Sequence, residues 1–129
     1  MVTHGIDHPS GNDPEEVAYF TVKSLSKNLP ATVPGVAFLS GGQPEEQASV
    51  NLNAINKMPK HTAPWNLSFS YGRALQTTVL QVWKGDWDNT DAAQEILIAR
   101  CKANYEAALG IYKGGDGSTK SDFVADYKY

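Results

Sequence analysis

Two short loops in the sequence carry residue types that bind phosphate groups. The first is Ser40-Gly41-Gly42, which offers a hydroxyl and backbone amides that no side chain shields. The second contains Ser70, Gly72 and Arg73, and the planar guanidinium of an arginine can bind two phosphate oxygens at once. Each loop alone has an ordinary explanation, as a plain turn or as a surface cation. Their similarity predicts that they form one phosphate-binding clamp.

Each loop follows a predicted strand and precedes a predicted helix. Residues 35–39 are continuously apolar, as in a strand that is buried on both faces of a parallel sheet, and residues 65–70 alternate apolar with polar. Proline and two acids at residues 44–46 begin one helix, whose predicted buried face is Ala48, Leu52 and Ile55. Another helix spans Ala74 to about Trp83, and its predicted buried face is Leu75, Val79 and Val82. Ligands collect at the carboxyl ends of parallel strands, so we expect both loops at one edge of a sheet.

Two more helices flank these units. Asp13 as N-cap and Pro14 at the first position predict a helix that ends before Pro30 and packs on the sheet. A last helix ends near Gly110 and has a stripe of small residues that predicts close packing: Ala92, Ile96, Ala99, Ala103 and Ala107. Residues 1–113 are therefore predicted to hold the βα units and a terminal helix, and residues 114–129 a flexible tail.

The composition excludes several classes of protein. The 129 residues suffice for one domain, and a net charge of −3 with two arginines argues against nucleic-acid binding. No apolar run is long enough for a membrane helix, and the first 25 residues do not resemble a secretion signal, so we expect a soluble, unsecreted protein without membrane contacts. The single cysteine, Cys101, excludes an internal disulfide and is predicted to pack within its helix.

The titratable residues indicate no metal site and no acid–base pair. His4, His8 and His61 lie in predicted loops or connectors, where we expect them to be exposed to solvent. The acidic residues lie mainly in first helical turns, where helix capping explains them.

The number of strands indicates a larger fold, because two parallel strands cannot make a sheet covered on both faces. The usual closed solution is the eight-stranded (β/α) barrel of about 250 residues, and the chain looks like the end of one.

Long segments of the chain resemble class I fructose-1,6-bisphosphate aldolases. They are residues 35–43 (GVAFLSGGQ), 49–57 (SVNLNAINK) and 64–76 (PWNLSFSYGRALQ), and the resemblance extends over nearly the whole chain. Residues 100–104 and 126–129 resemble plant-like members more than animal ones. The resemblance implies an α/β fold, namely the C-terminal part of a TIM barrel: strands seven and eight with their helices, a terminal helix and a mobile tail.

The resemblance also implies an activity. Family members reversibly cleave fructose 1,6-bisphosphate to dihydroxyacetone phosphate and glyceraldehyde 3-phosphate through a lysine imine, in glycolysis and gluconeogenesis, without a metal or other cofactor. In that scheme Ser40, Gly41, Gly42, Ser70, Gly72 and Arg73 bind a substrate phosphate, and Tyr129 on the tail helps to move a proton. The implied assembly is a homotetramer, located in the cytoplasm or, for a plant-like parent, in a plastid.

The chain departs from the family in ways that leave alternatives open. His4 and Pro44 stand where proline and serine are usual, and the chain contains no lysine that matches the imine lysine, since Met1 aligns just after it. We therefore expect the chain alone to be inactive and poorly folded. The alternative function is a non-catalytic phosphate-binding or interaction module. An independent flavodoxin-like domain is disfavoured because only two strands are predicted.

Overall fold

A computed structural model describes residues 1–5, 7–9 and 11–115 of the chain. Within them, the helices and strands follow in the predicted order: α1 (Pro14–Asn28), β1 (Gly35–Phe38), α2 (Glu45–Lys57), β2 (Asn66–Phe69), α3 (Arg73–Trp83) and α4 (Thr90–Ala108), with a 3₁₀ turn at Trp87–Asn89. The predicted tail beyond Gly115, with Tyr129, lies outside the described residues. No helix in the described part of the chain is long and apolar enough to cross a membrane.

The two strands form a parallel pair in which Phe38 lies opposite Phe69. Phe38 of β1 and Leu67 of β2 are buried in the core. Ala37 and Leu39, the neighbours of Phe38 along the chain, point to the opposite face and are exposed. The prediction that β1 is buried on both faces is therefore wrong for the described residues. The helices cover one face of the pair, and no described element covers the other.

Helix α1 begins as the sequence predicts and packs differently. The Asp13 carboxylate accepts a hydrogen bond from the Glu15 amide at 3.0 Å, which caps the helix, and Pro14 is its first residue. The helix packs against α2, however, and not on the sheet. The prediction fails because α2 and α4 already pack on β2 and leave α1 an outer position.

The core lies between α2, the covered face of the strands and α4, and α1 adds Ala18 and Val22 to it. The predicted face of α2, formed by Ala48, Leu52 and Ile55, is completely buried, as expected. Burial of a leucine or isoleucine side chain contributes about 1.5–3 kcal/mol, so this face is a main source of stability. The predicted face of α3 is only half-buried: it consists of Leu75, Val79 and Val82.

The buried face of α4 differs from the predicted stripe. Ala103 and Ala107 are buried, but Ala92 and Ala99 are exposed, and their places are taken by Ala93, Arg100 and Asn104. A shift of one residue turns a helix by about 100°, so the helix presents Arg100 to α2 instead of Ala99. Cys101 is exposed, so the prediction that this residue packs within its helix is wrong.

Candidate functional site

The two predicted loops meet at the carboxyl edge of the strand pair. Ser40 follows β1 by two residues and Ser70 follows β2 by one, and the strands run parallel with Phe38 beside Phe69. The Ser70 amide donates a hydrogen bond of 2.8 Å to the carbonyl of Phe38, so the second loop starts against the end of the first strand. The predicted juxtaposition of the loops is thus confirmed, whereas phosphate binding by them stays a prediction.

The first loop is a tight turn that only glycine adopts easily. Gly41 and Gly42 have positive φ angles of 64° and 86°, and the Gln43 amide donates to the Ser40 carbonyl at 3.2 Å, as in a type I′ turn. Within the described chain, the amides of Gly41 and Gly42 and the hydroxyl of Ser40 make no hydrogen bond. The loop therefore offers three polar groups that an anion could use.

Buried amide side chains fix this turn to the rest of the fold. The side-chain nitrogen of Gln43, Nε2, also donates to the Ser40 carbonyl, at 2.6 Å, and the side-chain oxygen Oε1 accepts from Asn51 at 2.7 Å. Asn51, which is completely buried on α2, also exchanges two hydrogen bonds with Asn12, at 2.9 and 3.0 Å. The sequence gave no indication of this chain of amides, because its members lie 8 and 39 residues apart.

The second loop is held by tyrosine. Gly72 is exposed with a φ of −92°, and a methyl group added to it would touch nothing within 4 Å, so neither space nor conformation demands glycine there. Between Ser70 and Gly72, the buried hydroxyl of Tyr71 donates to the carbonyl of Ala48 at 3.0 Å. Burial raises the pKa of Tyr71, which keeps this donor protonated. Arg73 follows as the half-buried first residue of α3.

A polar cluster that we did not predict lies beneath both loops. The guanidinium of Arg100 donates from Nη2 to the Glu45 carbonyl at 2.8 Å, to the Ser49 hydroxyl at 2.9 Å and to the Ala74 carbonyl at 3.0 Å. Arg100 is 3% exposed and Glu45 1%. Burial lowers the pKa of Arg100, and the Glu45 carboxylate, 3.9 Å from Nε, opposes that shift.

Glu45 corrects the prediction that capping accounts for the acidic residues. Its two carboxylate oxygens accept from the amide and the hydroxyl of Thr78 on α3, at 3.1 and 2.7 Å. It therefore joins α2 to α3, besides standing in the first turn of α2. The one sequence signal for the cluster is that Arg100 shares a seven-residue spacing with the buried alanines 93 and 107, which places all three on one face of α4.

A cavity of about 380 Å³ lies beside the first loop. Its lining includes Gly41 and Gly42 of the first loop and the amino-terminal residues His4 and His8, but not Ser70, Gly72 or Arg73. The prediction of exposure is wrong for His4, whose side chain is 17% exposed and makes a 2.9 Å hydrogen bond to Glu16. His4 also stacks on His8, with ring centroids 4.3 Å apart. The described residues include no cluster of three or more metal-ligating side chains.

Comparison with known proteins identifies the family. The family model for fructose-bisphosphate aldolase class-I matches residues 1–129. The chain belongs to this family. It is 54% identical to the cytosolic fructose-bisphosphate aldolase 4 of Arabidopsis thaliana and 56% identical to fructose-bisphosphate aldolase 1 of Toxoplasma gondii, over all of its length in both cases. A plant cytosolic aldolase among these relatives agrees with the plant-like resemblance.

The aldolase family also accounts for the architecture. A structure of fructose-bisphosphate aldolase from Plasmodium falciparum, in complex with TRAP and a small-molecule inhibitor, superimposes with a TM-score of 0.84 at 50% identity and covers 89% of the chain. The chain spans 34% and 36% of the length of the two aldolase relatives, and 33% of the Plasmodium chain. The α/β elements therefore correspond to part of an aldolase fold.

Proposed function

We propose that the chain forms the substrate-phosphate grip of a fructose-bisphosphate aldolase, with β1 and β2 as strands seven and eight of its barrel. The observation that carries the proposal is the meeting of the two loops at one carboxyl edge, where β/α barrels place their active sites. In this arrangement residues 1–113 supply the βα units and terminal helix, and residues 114–129 supply the tail.

The residues of the clamp divide the work by chemistry. The Ser40 hydroxyl and the amides of Gly41 and Gly42 donate to phosphate oxygens from the first loop. Ser70 and the backbone of Gly72 do so from the second, and Arg73 adds a charge-assisted bidentate contact. These donors hold the phosphorylated end of the sugar, so that the carbonyl carbon is presented to the catalytic lysine.

The carbon–carbon bond is broken at an imine. As the bond breaks, a base takes the proton of the hydroxyl on the departing carbon and a protonated imine between the substrate carbonyl and a lysine accepts the electron pair of the bond, so that glyceraldehyde 3-phosphate leaves as the aldehyde. Neither loop of this chain contains a lysine, and we assign the imine lysine to another segment of the whole protein. Tyr129, from the tail, then helps to return a proton to the dihydroxyacetone phosphate carbon.

The relatives also guide the proposed setting. We place the whole protein in the cytoplasm, as the name of the Arabidopsis relative states for that protein, and assign it a homotetrameric assembly. The competing candidate, a non-catalytic phosphate-binding or interaction module, is favoured by one observation, namely that neither strand end carries a lysine.

A graft separates the two candidates. In it, this chain replaces the matching stretch of the Arabidopsis relative, and cleavage of fructose 1,6-bisphosphate is measured. We expect an active graft in which Arg73→Ala lowers kcat/KM by at least about 10-fold, because a charge-assisted contact of about 1.5–3 kcal/mol is lost. Lys84→Ala, which removes an exposed cation beyond the far end of α3, is the matched control and should have no effect.

An inactive graft, or an Arg73→Ala graft with unchanged kinetics, would reject the proposed grip. The chain alone offers a second test: dihydroxyacetone phosphate and borohydride should give no covalent adduct by mass spectrometry, since the imine lysine is assigned to another segment. A stable adduct would show that a lysine of this chain forms the imine.

A further inference from the structure

We propose that Arg100 is a positioning residue that sets the spacing between the two phosphate-binding loops. The inference rests on the proposed function, because it concerns the geometry of that clamp. Arg100 is 3% exposed and lies in the middle of α4, so it does not contact a substrate and acts only through the groups that it holds.

One nitrogen atom of Arg100 joins the starts of the two helices that follow the loops. Nη2 lies 2.8 Å from the carbonyl oxygen of Glu45, the first residue of α2, and 3.0 Å from that of Ala74, the second residue of α3. Glu45 is two residues beyond Gln43, which closes the first loop, and Ala74 directly follows Arg73. A displacement of either helix start would therefore stretch a bond to the same atom.

A second set of hydrogen bonds also joins α2 to α3. The Glu45 carboxylate, on α2, binds the amide and hydroxyl of Thr78 on α3, at 3.1 and 2.7 Å. Ser49 completes the cluster: its hydroxyl accepts from Arg100 and lies 2.8 Å from the side-chain oxygen of Asn104. The contacts of Arg100 and Ser49 are buried, so they are stronger and stiffer than they would be at the surface, and the Glu45–Thr78 bonds are partly buried.

The chemistry of the clamp explains why such spacing matters. A single phosphate must meet donors from both loops at once, and a misplacement of about 1 Å can lower a rate by about 100-fold. An arginine suits the role better than a lysine, because its guanidinium is planar, weakly hydrated and holds its donors in fixed directions.

The test compares Arg100→Lys with Lys102→Arg in the graft. Both variants exchange one cation for the other on α4, but Lys102 is exposed and makes a matched control. We expect Arg100→Lys to lower kcat/KM for fructose 1,6-bisphosphate by about 10- to 100-fold, chiefly through a higher KM, and Lys102→Arg to leave it unchanged. Ser49→Ala, which removes one acceptor of Arg100 together with the hydroxyl donor to Asn104, should lower it several-fold and serves if Arg100→Lys fails to fold.

A double-mutant cycle separates positioning from simple stabilisation. In an Arg73→Ala background, the loss caused by Arg100→Lys, or by Ser49→Ala if that variant is used, should shrink, because the contact that Arg100 positions is already gone. The inference would be overturned if the losses in kcat/KM from Arg73→Ala and from the second variant add fully. It would also be overturned if the second variant lowers the melting temperature without changing the kinetics. If Arg73→Ala lowers kcat/KM but Arg100→Lys and Ser49→Ala do not, the positioning role of Arg100 is rejected and the proposed function stands. If Arg73→Ala itself has no effect, the proposed function fails first.

Discussion

The first and second loops carry similar chemistry but are fixed in different ways. The first, residues 40–43, is shaped by its own backbone: two glycines with positive φ and a hydrogen bond that closes the turn. The second, residues 70–73, has no residue with a positive φ, and it is held by the hydrogen bond from Tyr71 to Ala48 and by Arg100 through Ala74. A local sequence motif therefore specifies the turn of the first loop, whereas its anchoring through Asn51 and the support of the second loop both depend on contacts distant in sequence.

The largest effect is expected from Arg100→Met, which removes the external support of the second loop. The Glu45 carboxylate then stays buried without its cation, a situation that costs about 3–5 kcal/mol. Hydrogen exchange in the graft should show faster exchange of the α2 and α3 amides, together with a lower melting temperature. Exchange as slow as in the unaltered graft would mean that the second loop does not depend on this cluster.

Gly41→Ala tests the internal support of the first loop. A methyl group there would meet only Leu39 Cδ1, at 3.7 Å, so the cost arises from the φ of 64° and should be about 1–2 kcal/mol. The predicted result is a lower melting temperature of the graft, with faster exchange confined to the first loop. A neutral substitution would show that the turn is not held in this conformation.

Tyr71→Phe should have an effect of about 1 kcal/mol, because one buried hydrogen bond to Ala48 is lost. It should also change the pH dependence. The folded-state pKa of Tyr71 lies above the usual tyrosine value of about 10, so its contribution to stability is complete below about pH 10 and is lost as the pH rises further. Denaturant unfolding of the graft between pH 8 and pH 11 measures this: the variant should lose less stability above pH 10 than the unaltered graft.

The smallest effect is expected from Gly72→Ala. Its φ of −92° suits any residue, and the added methyl group meets nothing, so stability should change by less than about 0.5 kcal/mol. The Gly72→Ala and Gly41→Ala grafts should be melted side by side. Equal losses in the two variants would remove the distinction between the loops.

Sequence patterns predicted what depends on near neighbours. The start of α1 follows from Asp13 and Pro14, and the meeting of the loops follows from two predicted strands that each end in a polar turn. The burial of Arg100 could not be predicted, because an arginine among alanines has the same pattern whether it meets water or a partner. Its partners lie 26 to 55 residues away. The exposed face of β1 was missed for a similar reason, since an apolar segment does not reveal how many strands lie beside it.

The position of Arg100 in the chain also sets the order in which the clamp can be assembled. A ribosome produces the protein from its amino end, so both loops emerge before the arginine that joins the helices behind them. The turn at Ser40 can form as soon as it is made, whereas the distance between the loops is settled only when α4 folds back onto α2. Final assembly of the clamp is thus a late event in the synthesis and folding of the protein.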